Sequence, residues 1–205
     1  MHERRLHHRE LKRRYTERNG ERRTKLNLDY FLGLDESNHG VIPEILVTAL
    51  STSQEDAQRG NYPKLRRGEE GIQMVLREGF DFRFLLVPNR ELTSALYDLK
   101  VKSAVIAEMA EAFGLTRVDR CGIYVDGRFD GLKDSVNNAF SEKGKGRPGE
   151  VIVQKSADRT YRVVNAADTV ARSLRRIYDQ NGEMGLAPYV RRRITHEFML
   201  EALAR

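Results

Sequence analysis

Four acidic residues stand where three apolar runs end. Asp35 and Glu36 follow Tyr30-Phe31-Leu32-Gly33-Leu34, Asp126 follows Cys121-Gly122-Ile123-Tyr124-Val125, and Asp158 comes shortly after Val151-Ile152-Val153. Short runs of this composition read as buried strands. Carboxylates at the ends of buried strands lose hydration and repel one another, so a fold rarely gathers them without a cation. Oxygen donors of this kind suit Mg²⁺ or Mn²⁺. Two such ions held close together are the machinery for in-line hydrolysis of a phosphodiester. The pattern therefore points to a metal-dependent nuclease. One Asp at a strand end is more often a turn former or a helix cap; the adjacency of Asp35 and Glu36 is what strengthens the metal reading. Neighbours in a strand point to opposite faces, so both reach one cation only where the strand ends or bulges. The turn expected over 37–40 would provide that.

The chain has 205 residues, enough for one domain with a sizeable core. No apolar run approaches the roughly 20 residues of a membrane helix, and the basic N-terminus lacks the apolar stretch of a secretory signal. The charge is unevenly spread. Residues 1–25 hold ten Lys/Arg and four Asp/Glu, which accounts for the whole formal net charge of +6. Residues 1–27 thus read as a flexible basic arm suited to phosphate contacts, or as a solvated tail that aids solubility. The domain proper would span 28–205. The single cysteine, Cys121, cannot form an internal disulfide, lies in a strand-like run and reads as a packing residue of a reducing, cytoplasmic compartment. Nothing in the sequence marks a dimerisation stripe, so a monomer is expected.

Five strands are predicted, over 30–35, 42–50, 80–87, 120–125 and 151–154, the second antiparallel to the first. Helical spacing covers 92–113, with a break near Lys100 and a stop at Gly114. Shorter helices are expected over 131–140, 164–178 and 195–204. Residues 51–71 read as a polar surface excursion with room for a short helix, and 141–149 as a Gly/Lys/Pro linker. Phe80, Phe82 and Phe84 form a stripe at strand spacing and read as core. This order predicts an α/β domain with a mixed five-stranded sheet flanked by helices, and leaves the strand pairing open.

Gly33-Leu34-Asp35-Glu36-Ser37-Asn38-His39-Gly40 resembles the Gly-Ile-Asp-Glu-Ala-Gly-Arg-Gly motif that opens type 2 ribonucleases H, bacterial ribonuclease HII and its relatives. Val125-Asp126-Gly127 resembles that family's second motif. Ala157-Asp158, Val164-Asn165-Ala166-Ala167 and Ala171-Arg172 resemble its Ala-Asp, Val-Ser-Ala-Ala-Ser and Ala-Lys stretch, in the same register and without a gap. The resemblance covers roughly 30–178. It implies a ribonuclease H-like fold and a two-metal endonuclease that uses Mg²⁺ or Mn²⁺. The substrate would be an RNA/DNA hybrid or a duplex with embedded ribonucleotides, cut to a 3′-hydroxyl and a 5′-phosphate. Asp35, Glu36, Asp126 and Asp158 would be the catalytic metal ligands, with Asp35 bridging. Ser37, Asn38, His39 and Gly40 would meet the ribonucleotide, Arg172 would replace the family's Lys, and Tyr189 would stack on a deoxyribose. Asn38 and His39 stand where the family has Gly-Arg, which removes a planar five-donor fork from the loop that senses the 2′-hydroxyl. A nuclease of this fold with another nucleic-acid substrate, or an inactive nucleic-acid-binding protein, is the alternative. Asp168, at a family Ser position, reads as an exposed acid or a partner for a neighbouring Arg rather than a ligand. Arg191, Arg192 and Arg193 read equally as a duplex-tracking stripe or a solvated face.

Overall fold

The computed structural model describes residues 28–37, 43–60, 68–87, 99–117, 119–127, 130–195 and 197. The basic arm, Asn38, His39 and Gly40, the first part of the 92–113 helical pattern and most of the helix expected over 195–204 lie outside these residues.

Strand β1 (Tyr30–Ser37) is followed by β2 (Glu44–Ser51), a 3₁₀ turn (Gln54–Ala57), helix α1 (Glu69–Arg77), β3 (Asp81–Val87), α2 (Leu99–Ala112), β4 (Cys121–Asp126), α3 (Leu132–Glu142) and β5 (Glu150–Gln154). A 3₁₀ turn (Ala157–Arg159), the long helix α4 (Arg162–Asn181), a 3₁₀ segment (Gly182–Arg192) and a two-residue strand β6 (Arg193–Ile194) complete it. The sheet order is β5-β4-β1-β2-β3-β6. β1 pairs antiparallel with β2 and β2 antiparallel with β3, while β1–β4, β4–β5 and β3–β6 are parallel. Only β2 therefore runs against the rest. The fold is α/β with a mixed sheet flanked by helices, as expected; β6 adds a sixth strand to the predicted five.

Alternation along β1 decides what each face buries. Phe31 joins Ile45, Val47, Phe82, Phe84 and Tyr124 under α4. Leu32 and Leu34 join Ile123 and Val125 against Ile106, Ala107 and Ala110 of α2 and Leu132, Val136 and Phe140 of α3. The Phe stripe is core, as predicted: Phe80, Phe82 and Phe84 are all buried. Cys121 is buried as well, and burial pushes its thiol up to about 11, which fits packing and not reactivity. Helix α4 crosses β1 at Gly33, where a Cβ would stand 2.4 Å from the Val163 carbonyl oxygen. Only glycine lets the two backbones come this close.

The region 51–71 is less of an excursion than its composition predicts. It ends at Gly68, in a positive-φ conformation, and runs into α1, whose Ile72 and Val75 are fully buried beneath α4. Four apolar residues, Ile72, Met74, Val75 and Leu76, in a nine-residue helix are too short a signal against the flanking Arg and Glu.

Candidate metal centre

Strand pairing in β1 continues past the acids. Asp35 is in register with Val47, Glu36 with Leu46 and Ser37 with Ile45. The expected turn has not begun, so alternation holds through the pair. Asp35 lies on the α4 face with Phe31, and Glu36 on the α2 face with Leu32 and Leu34. Asp126 ends the adjacent parallel strand, one step beyond the Leu34–Val125 register, and shares the α4 face with Tyr124. Asp35 and Asp126 thus converge at the same end of the two central strands.

The electrostatics follow this division. Asp35 holds its proton to well above the ordinary carboxylate range. Burial is the largest cause, and the negative charge of Asp168 is next, ahead of those of Asp126 and Glu36. The Glu36 amide donates to Asp35 Oδ1 at 2.7 Å and acts in the opposite direction. Asp158 is not among these influences. It is buried on the 3₁₀ turn after β5, where Asn165 Nδ2 donates to its carbonyl oxygen at 3.1 Å. The same turn is tied to the site through Ala157, whose amide donates to Asp126 Oδ1 at 2.8 Å.

Asp168 corrects the sequence reading in one respect. It does pair with a neighbouring Arg, since Arg172 Nε stands 2.5 Å from Asp168 Oδ1. It is not exposed, however, with 5 % of its surface accessible. A surface (i, i+4) pair is all that helix spacing suggests; the crossing of α4 over Gly33 is what turns Asp168 towards Asp35. Glu36 differs too. Lys102 Nζ of α2 donates to its two oxygens at 3.1 and 3.4 Å, in a pair whose side chains are 1 % and 10 % exposed. No sequence motif announced Lys102, because it lies 66 positions away on a separate helix.

The remaining predicted residues are dispersed. Ser37 is buried and its hydroxyl accepts from the Ile45 amide at 3.1 Å. Asn38, His39 and Gly40 lie outside the described residues. Tyr189 packs against Phe82, ring centroids 6.4 Å apart, and burial raises its hydroxyl pKa. Through the β3–β2–β1 register, Phe82 lies level with Gly33, below the acids. Arg192 pairs with Asp81 and covers the Phe82 ring, and Arg193 pairs with Glu183, so these two are engaged within the chain.

The acids of the α4 face offer carboxylate oxygens, the donor type that a hard divalent cation takes, and Arg172 lies beside one of them. A cation there would offset the burial and repulsion that raise the Asp35 pKa. Among the described residues no three His, Cys, Asp or Glu side chains are drawn together closely enough to hold a metal ion. Two of the acids instead face cationic side chains, Lys102 and Arg172. Among the described residues no helix is long and apolar enough to cross a membrane.

No protein-family model matches the chain, and no curated protein matches it either. Among solved structures it is similar to a chain of the PCNA:RNase HII complex from Archaeoglobus fulgidus, at 18 % identity over 74 % of this chain and 77 % of that one, with a TM-score of 0.46. It is also similar to the ribonuclease H2 from Pyrococcus horikoshii OT3, at 18 % identity over 75 % and 78 % of the two chains, with a TM-score of 0.36.

Proposed function

We propose that this chain is a divalent-metal-dependent endonuclease related to the type 2 ribonucleases H, acting in the cytoplasm as a monomer. Its substrate would be the RNA strand of an RNA/DNA hybrid, or ribonucleotides embedded in duplex DNA. The observation that carries the reading is the pair Asp35 and Asp126, side by side at one end of adjacent parallel strands and on one face of a ribonuclease H-like sheet. The three ordered sequence motifs support the same reading.

Asp35 and Asp126 would hold the Mg²⁺ or Mn²⁺, with Asp158 completing the set and Asp168 adding negative charge from α4. The metal supplies Lewis-acid chemistry, lowering the pKa of water and offsetting charge on the leaving oxygen. The Ala157 amide fixes Asp126 in orientation. Arg172, about one-third exposed, offers a phosphate contact at the rim. Ser37, Asn38, His39 and Gly40 would meet the ribose, and Tyr189 would stack beyond it only after moving off Phe82.

The test is cleavage of end-labelled substrates with Mg²⁺ or Mn²⁺: an RNA/DNA hybrid, a duplex with one ribonucleotide, double-stranded RNA and plain DNA. Cutting only where ribonucleotides occur, with more than about a hundredfold loss in Asp35→Asn, is the expected result. An equally active Asp35→Asn protein rules the site out. A second reading, an inactive nucleic-acid-binding protein, draws on the cationic partners of Glu36 and Asp168. It predicts binding without cutting and no Mn²⁺-dependent rise in Tm.

A further inference from the structure

From β5, an edge strand of the sheet, the chain returns to α4 through Lys155-Ser156-Ala157-Asp158-Arg159-Thr160. Ser156 is the only non-glycine among the described residues with a positive φ, at 60°, a conformation that an L residue adopts at a cost. The Arg159 amide donates to the Ser156 carbonyl oxygen at 3.1 Å and closes the turn. The turn sorts its charges. Asp158 is buried, whereas Lys155 and Arg159 are exposed. A third exposed cation, Arg59, is rooted beside them. The Gly60 amide donates to the Thr160 carbonyl oxygen at 3.0 Å, and Arg59 Nε donates to the hydroxyl of buried Tyr161 at 3.1 Å.

Other arginines of the chain are answered internally. Arg172, Arg175, Arg192 and Arg193 each pair with a carboxylate. Among the described residues Arg59, Lys155 and Arg159 form no ion pair. The Tyr161 hydroxyl holds the Arg59 fork in place without neutralising it. Glu150, the carboxylate whose charge reaches Arg59, accepts from the Tyr124 hydroxyl at 2.9 Å. Exposed cations without a carboxylate partner keep their attraction for phosphate. The turn also touches the candidate metal centre, because the Ala157 amide donates to Asp126 Oδ1 at 2.8 Å.

We propose that Arg59, Lys155 and Arg159 form a phosphate-contact face at the β5 edge, which leads a nucleic-acid backbone to the Asp126 side of the site. Contacts of this kind position a duplex and do not read its sequence. The inference rests on the nucleic-acid reading given above. It moves the electrostatic footprint away from Arg191, Arg192 and Arg193 to the turn that follows β5.

Fluorescence anisotropy of a labelled RNA/DNA hybrid tests it, with the full chain in chelator so that nothing is cut. Salt is titrated from about 50 to 200 mM, and log Kd is plotted against log salt. Each phosphate contact removed should flatten the slope by about one. The triple variant Arg59→Gln, Lys155→Gln, Arg159→Gln should therefore lose about three units of slope and bind at least about tenfold more weakly at the low-salt end. Hybrids of unrelated sequence should respond alike. Arg193→Gln, which removes a cation already paired with Glu183, should change the slope by less than about half a unit. Where Arg59→Gln disturbs folding, the double variant Lys155→Gln, Arg159→Gln still decides, with a loss of about two units. A triple or double variant with the wild-type slope, or a larger loss in Arg193→Gln, overturns the assignment. If the wild type nevertheless cuts the hybrid with Mn²⁺, the nuclease reading stands without it. If the variants weaken binding as expected but the wild type never cuts, the contact face stands and the nuclease reading falls. No binding by the wild type overturns both.

Discussion

The two faces of the sheet meet the same problem at the end of β1 and solve it differently. On the α2 face a buried carboxylate, Glu36, is answered by a lysine of the chain itself. On the α4 face burial and the negative charge of Asp168 and Asp126 raise the Asp35 pKa well above the ordinary carboxylate range. The difference separates a carboxylate neutralised by an ion pair within the chain from one set among like charges.

The largest expected effect breaks the neutralised side. Lys102→Ala leaves Glu36 buried beside a void and should cost about 3–5 kcal/mol, read as a drop in the urea midpoint at pH 7. A change within about 0.5 kcal/mol would mean that the pair contributes no net stability. A second substitution acts on the other face alone. Gly33→Ala forces a Cβ against the Val163 carbonyl oxygen. It should cost about 1–3 kcal/mol and weaken Mn²⁺ binding, because lifting α4 withdraws Asp168 from Asp35. Unchanged melting and unchanged binding would show that the crossing tolerates displacement.

The smallest effect sharpens the comparison through pH. The folded protein raises the Asp35 pKa, so it keeps a proton that the unfolded chain releases above about pH 4. The corresponding stability is present in full below that pH and is lost as pH rises through the folded value. In metal-free buffer at pH 8, Asp35→Asn should therefore melt about 2–4 °C higher than wild type. The gap should close near pH 4 and reverse when Mn²⁺ is added. Lower melting of the variant at pH 8 without metal would show that Asp35 is not held against its charge.

Much of the arrangement was legible beforehand because it is local. Apolar runs marked β1 and β4, alternation marked the start of β3, and the position of Asp126 at the end of one of the runs followed directly. The long helix after Asp158 was legible from its spacing, though it begins at Arg162 and runs to Asn181, past both predicted ends. Helix α1 was hidden, since its few apolar residues only make sense against α4.

Sequence alone determined which residues are acidic, which runs are strands, and that neighbouring Asp35 and Glu36 must face opposite ways wherever β1 stays extended. Those properties are set within a few residues by covalent geometry and hydrophobic period. Tertiary structure decided the partners. It kept β1 paired through Ser37 instead of turning, sent Glu36 to Lys102 across 66 positions, and brought Asp168 to Asp35 through a helix crossing that only Gly33 permits. Charges act through space, and the distances that rank them exist only once the helices have docked on the sheet.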